Sequence, residues 1–181
     1  MNPDDQLFPT ADQVLPHALA FARMMLAHTR LEREVQILQD VITGKLGYGE
    51  KPRHQARNTD RRPTYIARLI EQRVKEPGLP ELVIRILSDA VAPIHAILKA
   101  AKVPSRKRNL LTHGDWWRFS PQTLKLTVRS GIKHRGAPPW VDWTPKDIDE
   151  VKEAFWSLEA ELFKLRRKIE DVAGPPMPPA N

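Results

Sequence analysis

The sequence predicts an all-α fold, a four-helix bundle running up and down with a small β-hairpin inserted before its last helix. Three observations carry this prediction. Apolar residues recur every three or four positions through four long segments, the spacing of one helical face. Most of the 17 prolines stand where those repeats stop, at Pro52, Pro63, Pro77, Pro80, Pro104, Pro121, Pro138, Pro139 and Pro145, because a residue without an N–H ends a helix. One short stretch instead alternates with period two, the spacing of a strand.

The first helix is expected from Asp12, as N-cap, to Thr43, with Gly44 as the stop. Leu15, Leu19, Ala22 and Leu26 form its inward stripe, and Leu31, Val35, Leu38 and Ile42 resume it after a five-residue jump, so the buried face shifts near Thr29. Lys45 to Arg62 reads as a basic loop. A second helix is expected from Thr64 to Glu76 through Ile66, Leu69, Ile70 and Val74, ended by Pro77-Gly78. The third, Glu81 to about Lys102, turns Leu82, Ile86, Ala90, Ile94, Ile97, Leu98 and Ala101 inward and bends at Pro93.

Ser105 is the expected N-cap of a short helix over Arg106 to Thr112 that Gly114 ends. From Trp116 to Arg129 the pattern is that of a hairpin, with Leu124, Leu126 and Val128 on one face. In the final helix, Thr144-Pro145-Lys146-Asp147 supplies a cap, a proline in the first turn and an acid at the positive dipole end. Its stripe runs Ile148, Val151, Phe155, Leu158, Leu162, Leu165, Ile169 and Val172. Residues 1–174 are read as one domain and residues 175–181 as a proline-rich extended tail.

With 41% hydrophobic and 28% charged residues, the chain has a globular rather than a disordered composition. It has no cysteine, which removes disulfides, thiolate metal sites and a cysteine nucleophile. No leader-like segment and no long apolar run occurs, so a cytoplasmic protein without membrane contact is expected. His17, His28 and His95 lack partners at metal-ligand spacing, and no zinc, phosphate-loop or serine-hydrolase motif is found; neither metal nor cofactor is expected. Lys and Arg outnumber Asp and Glu by 29 to 22, for a net charge of +7. This balance suits a polyanion partner, and equally suits solubility alone.

The chemistry concentrates in Arg108-Asn109-Leu110-Leu111-Thr112-His113-Gly114. Cleaving RNA without a metal needs a group to take the 2′-OH proton, another to protonate the leaving 5′-oxygen, and positive charge on the phosphate. His113 is the motif residue able to move a proton near neutral pH. Arg108 can hold two phosphate oxygens at once. Asn109, four residues before His113 on the same helical face, can orient either imidazole or phosphate. The competing reading is structural, with Arg and His capping the helix end and Asn109 holding the hairpin.

Four main helices, a basic loop and an Arg-Asn-x-x-x-His-Gly segment leading to Trp116 together resemble the HEPN family, the higher eukaryote and prokaryote nucleotide-binding domains, and in particular its bacterial members of unassigned function. The family motif is an Arg, four to six residues and a His, often with a polar residue after the Arg, and Arg108, Asn109 and His113 match it. The resemblance covers residues 10 to 172 in architecture, and its specific part is residues 108 to 117.

The resemblance implies a homodimer in which two motifs face each other. It further implies a metal-independent endoribonuclease of toxin or defence type, leaving 2′,3′-cyclic phosphate, with RNA and a cognate antitoxin protein as partners. Other members keep the fold without the activity, so the alternative is a non-catalytic dimeric interaction or nucleotide-binding module.

Further basic residues, Arg53, Arg57, Arg61, Arg62, Arg106, Lys107 and Arg118, are candidates to track a phosphate backbone, with solvated loops as the alternative. Trp116 and Trp117 either stack on bases or anchor the hairpin, and Trp140 and Trp143 are expected to staple the last helix. Arg166, Arg167 and Lys168 are assigned only the helix dipole.

Overall fold

The computed structural model describes residues 10–46, 62–120, 123–129 and 140–176. Among these, the helices are α1 (Ala11–Thr43), α2 (Arg62–Arg73), α3 (Glu81–Ala100), α4 (Lys102–His113) and α5 (Pro145–Ala173). The strands β1 (Asp115–Ser120), β2 (Lys125–Arg129) and β3 (Trp140–Trp143) lie between α4 and α5. They form one antiparallel sheet in the order β1-β2-β3. The fold is thus mostly helical with a small sheet before the last helix, and the expected hairpin gains a third strand. Most of the basic loop and the end of the tail lie outside the described residues.

The chain divides into two compact units. The first comprises Met1–His28 and Val103–Phe155, and so contains the start of α1, nearly all of α4, the sheet and the start of α5. The second comprises Thr29–Lys102 and Trp156–Asn181, with the rest of α1 and α5 and all of α2 and α3.

Thr10 rather than Asp12 caps α1. Gln13 Oε1 accepts from the Thr10 N–H at 2.9 Å, and the Thr10 carbonyl accepts from the Gln13 and Val14 N–H groups. This is the glutamine half of a capping box, in which a side chain three residues on satisfies the N–H of the residue that precedes the helix. At the far end Gly44 takes φ +69°, and the Lys45 N–H bonds back to the Asp40 carbonyl at 3.1 Å, the left-handed stop that glycine permits.

The inward face of the first half of α1 differs from the expected one. His17, Ala20, Met24 and Ala27 are buried, followed by Leu31, Val35, Leu38 and Ile42, all in unbroken steps of three and four. No shift of face occurs near Thr29. Leu15, Leu19 and Leu26 are 52%, 51% and 58% exposed and lie on the opposite side. A similar rotation marks the start of α3, where Val83 and Leu87 are buried in place of Leu82 and Ile86. α3 continues through Pro93, which is exposed, as is Asp89 one turn earlier, whose carbonyl loses its helical N–H partner to the proline. α4 begins at Lys102, so Pro104 sits in its first turn and Ser105 is a buried helical residue rather than a cap.

In the first unit the core is Ala20, Met24, Ala27, Leu111, Phe119, Leu126, Val128, Trp143, Ile148, Val151 and Phe155. Trp143 ends β3 inside this core, while Trp140 is exposed with the Arg129 guanidinium 5.5 Å from its ring centre. His17 is fully buried there, its Nε2 donating to the Trp143 carbonyl at 3.2 Å and its ring edge-on to Phe119. The cap of α5 is reciprocal: Thr144 Oγ1 accepts from the Asp147 N–H at 3.2 Å, and Asp147 Oδ2 accepts from the Thr144 N–H at 2.7 Å. The Thr144 bonds hold the Asp147 carboxyl below its ordinary pKa.

In the second unit Leu31, Leu38 and Ile42 of α1 belong to a core with Ile66 and Ile70 of α2, Leu87 and Ile94 of α3, and Leu162 and Ile169 of α5. Arg166 is buried on α5, and its Nε donates to Glu34 of α1, itself buried. Its Nη1 donates to Glu170 at 2.6 Å. The dipole assignment for Arg166 is therefore incomplete. Removing one member of such a pair strands a buried charge, at a cost of about 3–5 kcal/mol.

Burial lowers the His17 pKa, with the Trp143 carbonyl opposing the shift. A depressed folded pKa means that the unfolded chain binds the proton more readily, so stability is full above about 6.5 and falls as pH drops below it. His17→Gln is expected to flatten the fall in Tm between about pH 6.5 and 5, as followed by circular dichroism.

Candidate nucleic-acid interface

α4 carries Lys102, Arg106, Lys107 and Arg108 and no acidic residue, and His113 is its last helical position. Three contacts fix how it ends. The Gly114 N–H bonds to the Leu110 carbonyl at 2.8 Å, Trp116 Nε1 donates to the Leu111 carbonyl at 2.8 Å, and Thr112 Oγ1 donates to the Arg108 carbonyl at 2.8 Å. Two of the carbonyls left open at this helix C-terminus, those of Leu110 and Leu111, are thereby occupied without using the His113 side chain. Trp116 also packs edge-on to Phe21 of α1, with ring centres 5.8 Å apart. It anchors the sheet to the helices even though it is partly exposed.

Gly114 is required by close approach. A Cβ there would lie 2.4 Å from the Leu110 carbonyl oxygen, 2.4 Å from Val128 Cγ1 and 2.8 Å from the Arg129 carbonyl oxygen. The chain leaving α4 thus passes directly against β2. β1 and β2 pair from Asp115 with Arg129 to Ser120 with Lys125, with a register shift between Trp116 and Arg118. A bulge there increases local twist and re-aims the strand.

The motif residues separate on this helix. Arg108 is half-buried, and its Nη2 donates to His28 Nε2 of α1 at 3.1 Å. Since a guanidinium only donates, the His28 Nε2 must be the acceptor. The His28 ring stands edge-on to Phe155, with centres 5.1 Å apart, so Arg108 closes a stack that belongs to the core. Thr112, one turn on from Arg108, lies 3.9 Å from Met25 Sδ on the same side. Asn109 and His113 are exposed. An ideal helix places them about 40° apart and places Arg108 about 140° from His113. The expected shared face of Asn109 and His113 is present; Arg108 lies on another.

Among the other candidates, Arg106 and Lys107 are exposed, and Lys107 lies near enough to Asp147 to contribute to its lowered pKa. Arg118 is half-buried on β1. Arg62 opens α2 and forms a two-pronged ion pair with Glu32, both N–O distances being 2.5 Å. Arg53, Arg57 and Arg61 lie outside the described residues. Among the described residues no three His, Asp or Glu side chains gather into a metal-ligand set, and no helix is long and apolar enough to cross a membrane.

His28 is the site residue that sequence reasoning missed. Its contact is to a residue 80 positions away, and no local spacing announces it. Comparison with protein-family models, with curated proteins and with solved structures finds no match to this chain.

Gly114→Ala is expected to destabilise the protein by about 1–3 kcal/mol through overpacking, measured by urea denaturation. Because the added methyl would strike backbone on two sides, a larger side chain at this position is expected to cost more.

Proposed function

We propose that the chain is a HEPN-like RNA-binding protein, built as the bundle of that family, that cuts single-stranded RNA through His113 without a metal and leaves a 2′,3′-cyclic phosphate. The observation that carries this reading is the exposed His113 side chain with Asn109 beside it, at the end of a cationic helix free of acidic residues. In that reaction the 2′-oxygen bonds to phosphorus as the 2′-OH proton passes to a base, and the P–O5′ bond breaks as a proton reaches the leaving oxygen. An imidazole can serve either step near neutral pH, but one His113 cannot start both.

A homodimer supplies the second imidazole. Its support on α1 is the exposed row Leu15, Leu19, Ala22 and Leu26, which steps four, three and four, the spacing of a helix-pairing seam. Packed antiparallel on a second copy, Leu15 meets the partner copy's Leu26, and Leu19 meets its Ala22, as a twofold requires. A toxin or defence role, with an antitoxin protein as partner, follows from the same family reading.

A non-catalytic HEPN-like interaction module is the second reading. It is favoured by the Arg108 contact with His28, which commits the motif arginine to the fold.

Wild type and His113→Ala are to be incubated with end-labelled single-stranded RNA in EDTA, and the products resolved on a gel. Cyclic-phosphate ends from wild type alone, with equal Tm for both proteins, are the expected result. Intact RNA with both proteins would contradict catalysis and leave the interaction module.

A further inference from the structure

Which arginine of α4 meets the phosphate is decided by the rotation of the helix. Arg106, Asn109 and His113 are spaced by three and four residues, so an ideal helix holds them within about 60° of one another. All three are exposed, and among the described residues none of them hydrogen-bonds or ion-pairs through its side chain. Arg108 differs on each count. It lies about 160° around the helix from Arg106, is half-buried, and spends a guanidinium N–H on His28.

We infer that Arg106 is the arginine that grips RNA phosphate beside His113, and that Arg108 is an internal anchor holding α4 against α1. The inference deepens the RNA reading above and rests on it. Two turns, about 10 Å along the axis, separate Arg106 from His113, and helical side chains lean toward the N-terminus. Arg106 therefore holds a phosphate next to the scissile one rather than the scissile one itself. Its planar fork matches two phosphate oxygens, and Asn109, between the two, can bond the intervening sugar or base edge. The role is binding and register along the strand, so it acts on affinity rather than on the bond-breaking step.

The test is binding of a labelled single-stranded RNA by anisotropy over a salt series, with Tm recorded for each protein. The variants are Arg106→Ala, Arg108→Ala and Arg108→Gln, the last keeping an N–H donor for His28. Each phosphate contact on single-stranded nucleic acid adds about 0.7 to the slope of log affinity against log salt. Arg106→Ala is expected to reduce that slope by about 0.7 per chain at unchanged Tm. Arg108→Ala is expected to lower Tm, and Arg108→Gln to keep both the slope and most of the Tm. A wild-type slope in Arg106→Ala, together with a reduced slope in folded Arg108→Gln, overturns the inference and leaves the RNA reading standing. Wild type that fails to bind RNA at low salt overturns the reading and the inference together.

Discussion

The contact between Arg108 and His28 sets the rotation of α4, and what projects from that helix follows from it. With the guanidinium turned toward α1, Leu111 is carried into the first unit's core, while Asn109 and His113 are turned outward. The helix then ends where Gly114 lets the backbone pass against β2, and Trp116 bonds the Leu111 carbonyl in its last turn. One half-buried polar contact thus separates an arginine and a histidine that stand close in sequence into different tasks.

Two polar contacts that are buried serve the fold in the same way. His17 ties the start of α1 to the end of β3 within the first unit, and the Glu34–Arg166 pair ties α1 to α5 within the second. Each has a hydrogen-bond partner more than a hundred residues away in sequence, and neither would be tolerated inside without it. A wrong register of the long helices would leave a charge or an imidazole buried alone, which penalises that alternative more sharply than apolar packing does.

The cap, extent and apolar stripe of α5 were legible in the sequence, because the cap is local and the apolar residues share one stripe, but its buried Arg166 was not, since it depends on Glu34 in α1. The extent of α1 was legible too, but the face of its first half was not. Three leucines there outweigh His17, Ala20 and Ala27 in any reading by hydrophobicity, yet the small residues and the histidine are the ones inside, where close packing favours them. The third strand escaped notice because four residues, Trp140–Trp143, are too few to establish a period. At the candidate site the shared face of Asn109 and His113 could be read from their spacing, and so could Arg106, which completes it. The inward turn of Arg108 could not, since it depends on His28 and Phe155 from distant parts of the chain.

The most direct measurement is a titration of the isotopically labelled protein with a short single-stranded RNA, followed by the imidazole and guanidinium NMR signals. His113 and Arg106 are expected to shift with increasing RNA while His28 and Arg108 hold their positions. Shifts at His28 and Arg108, with His113 and Arg106 unmoved, would contradict this expectation.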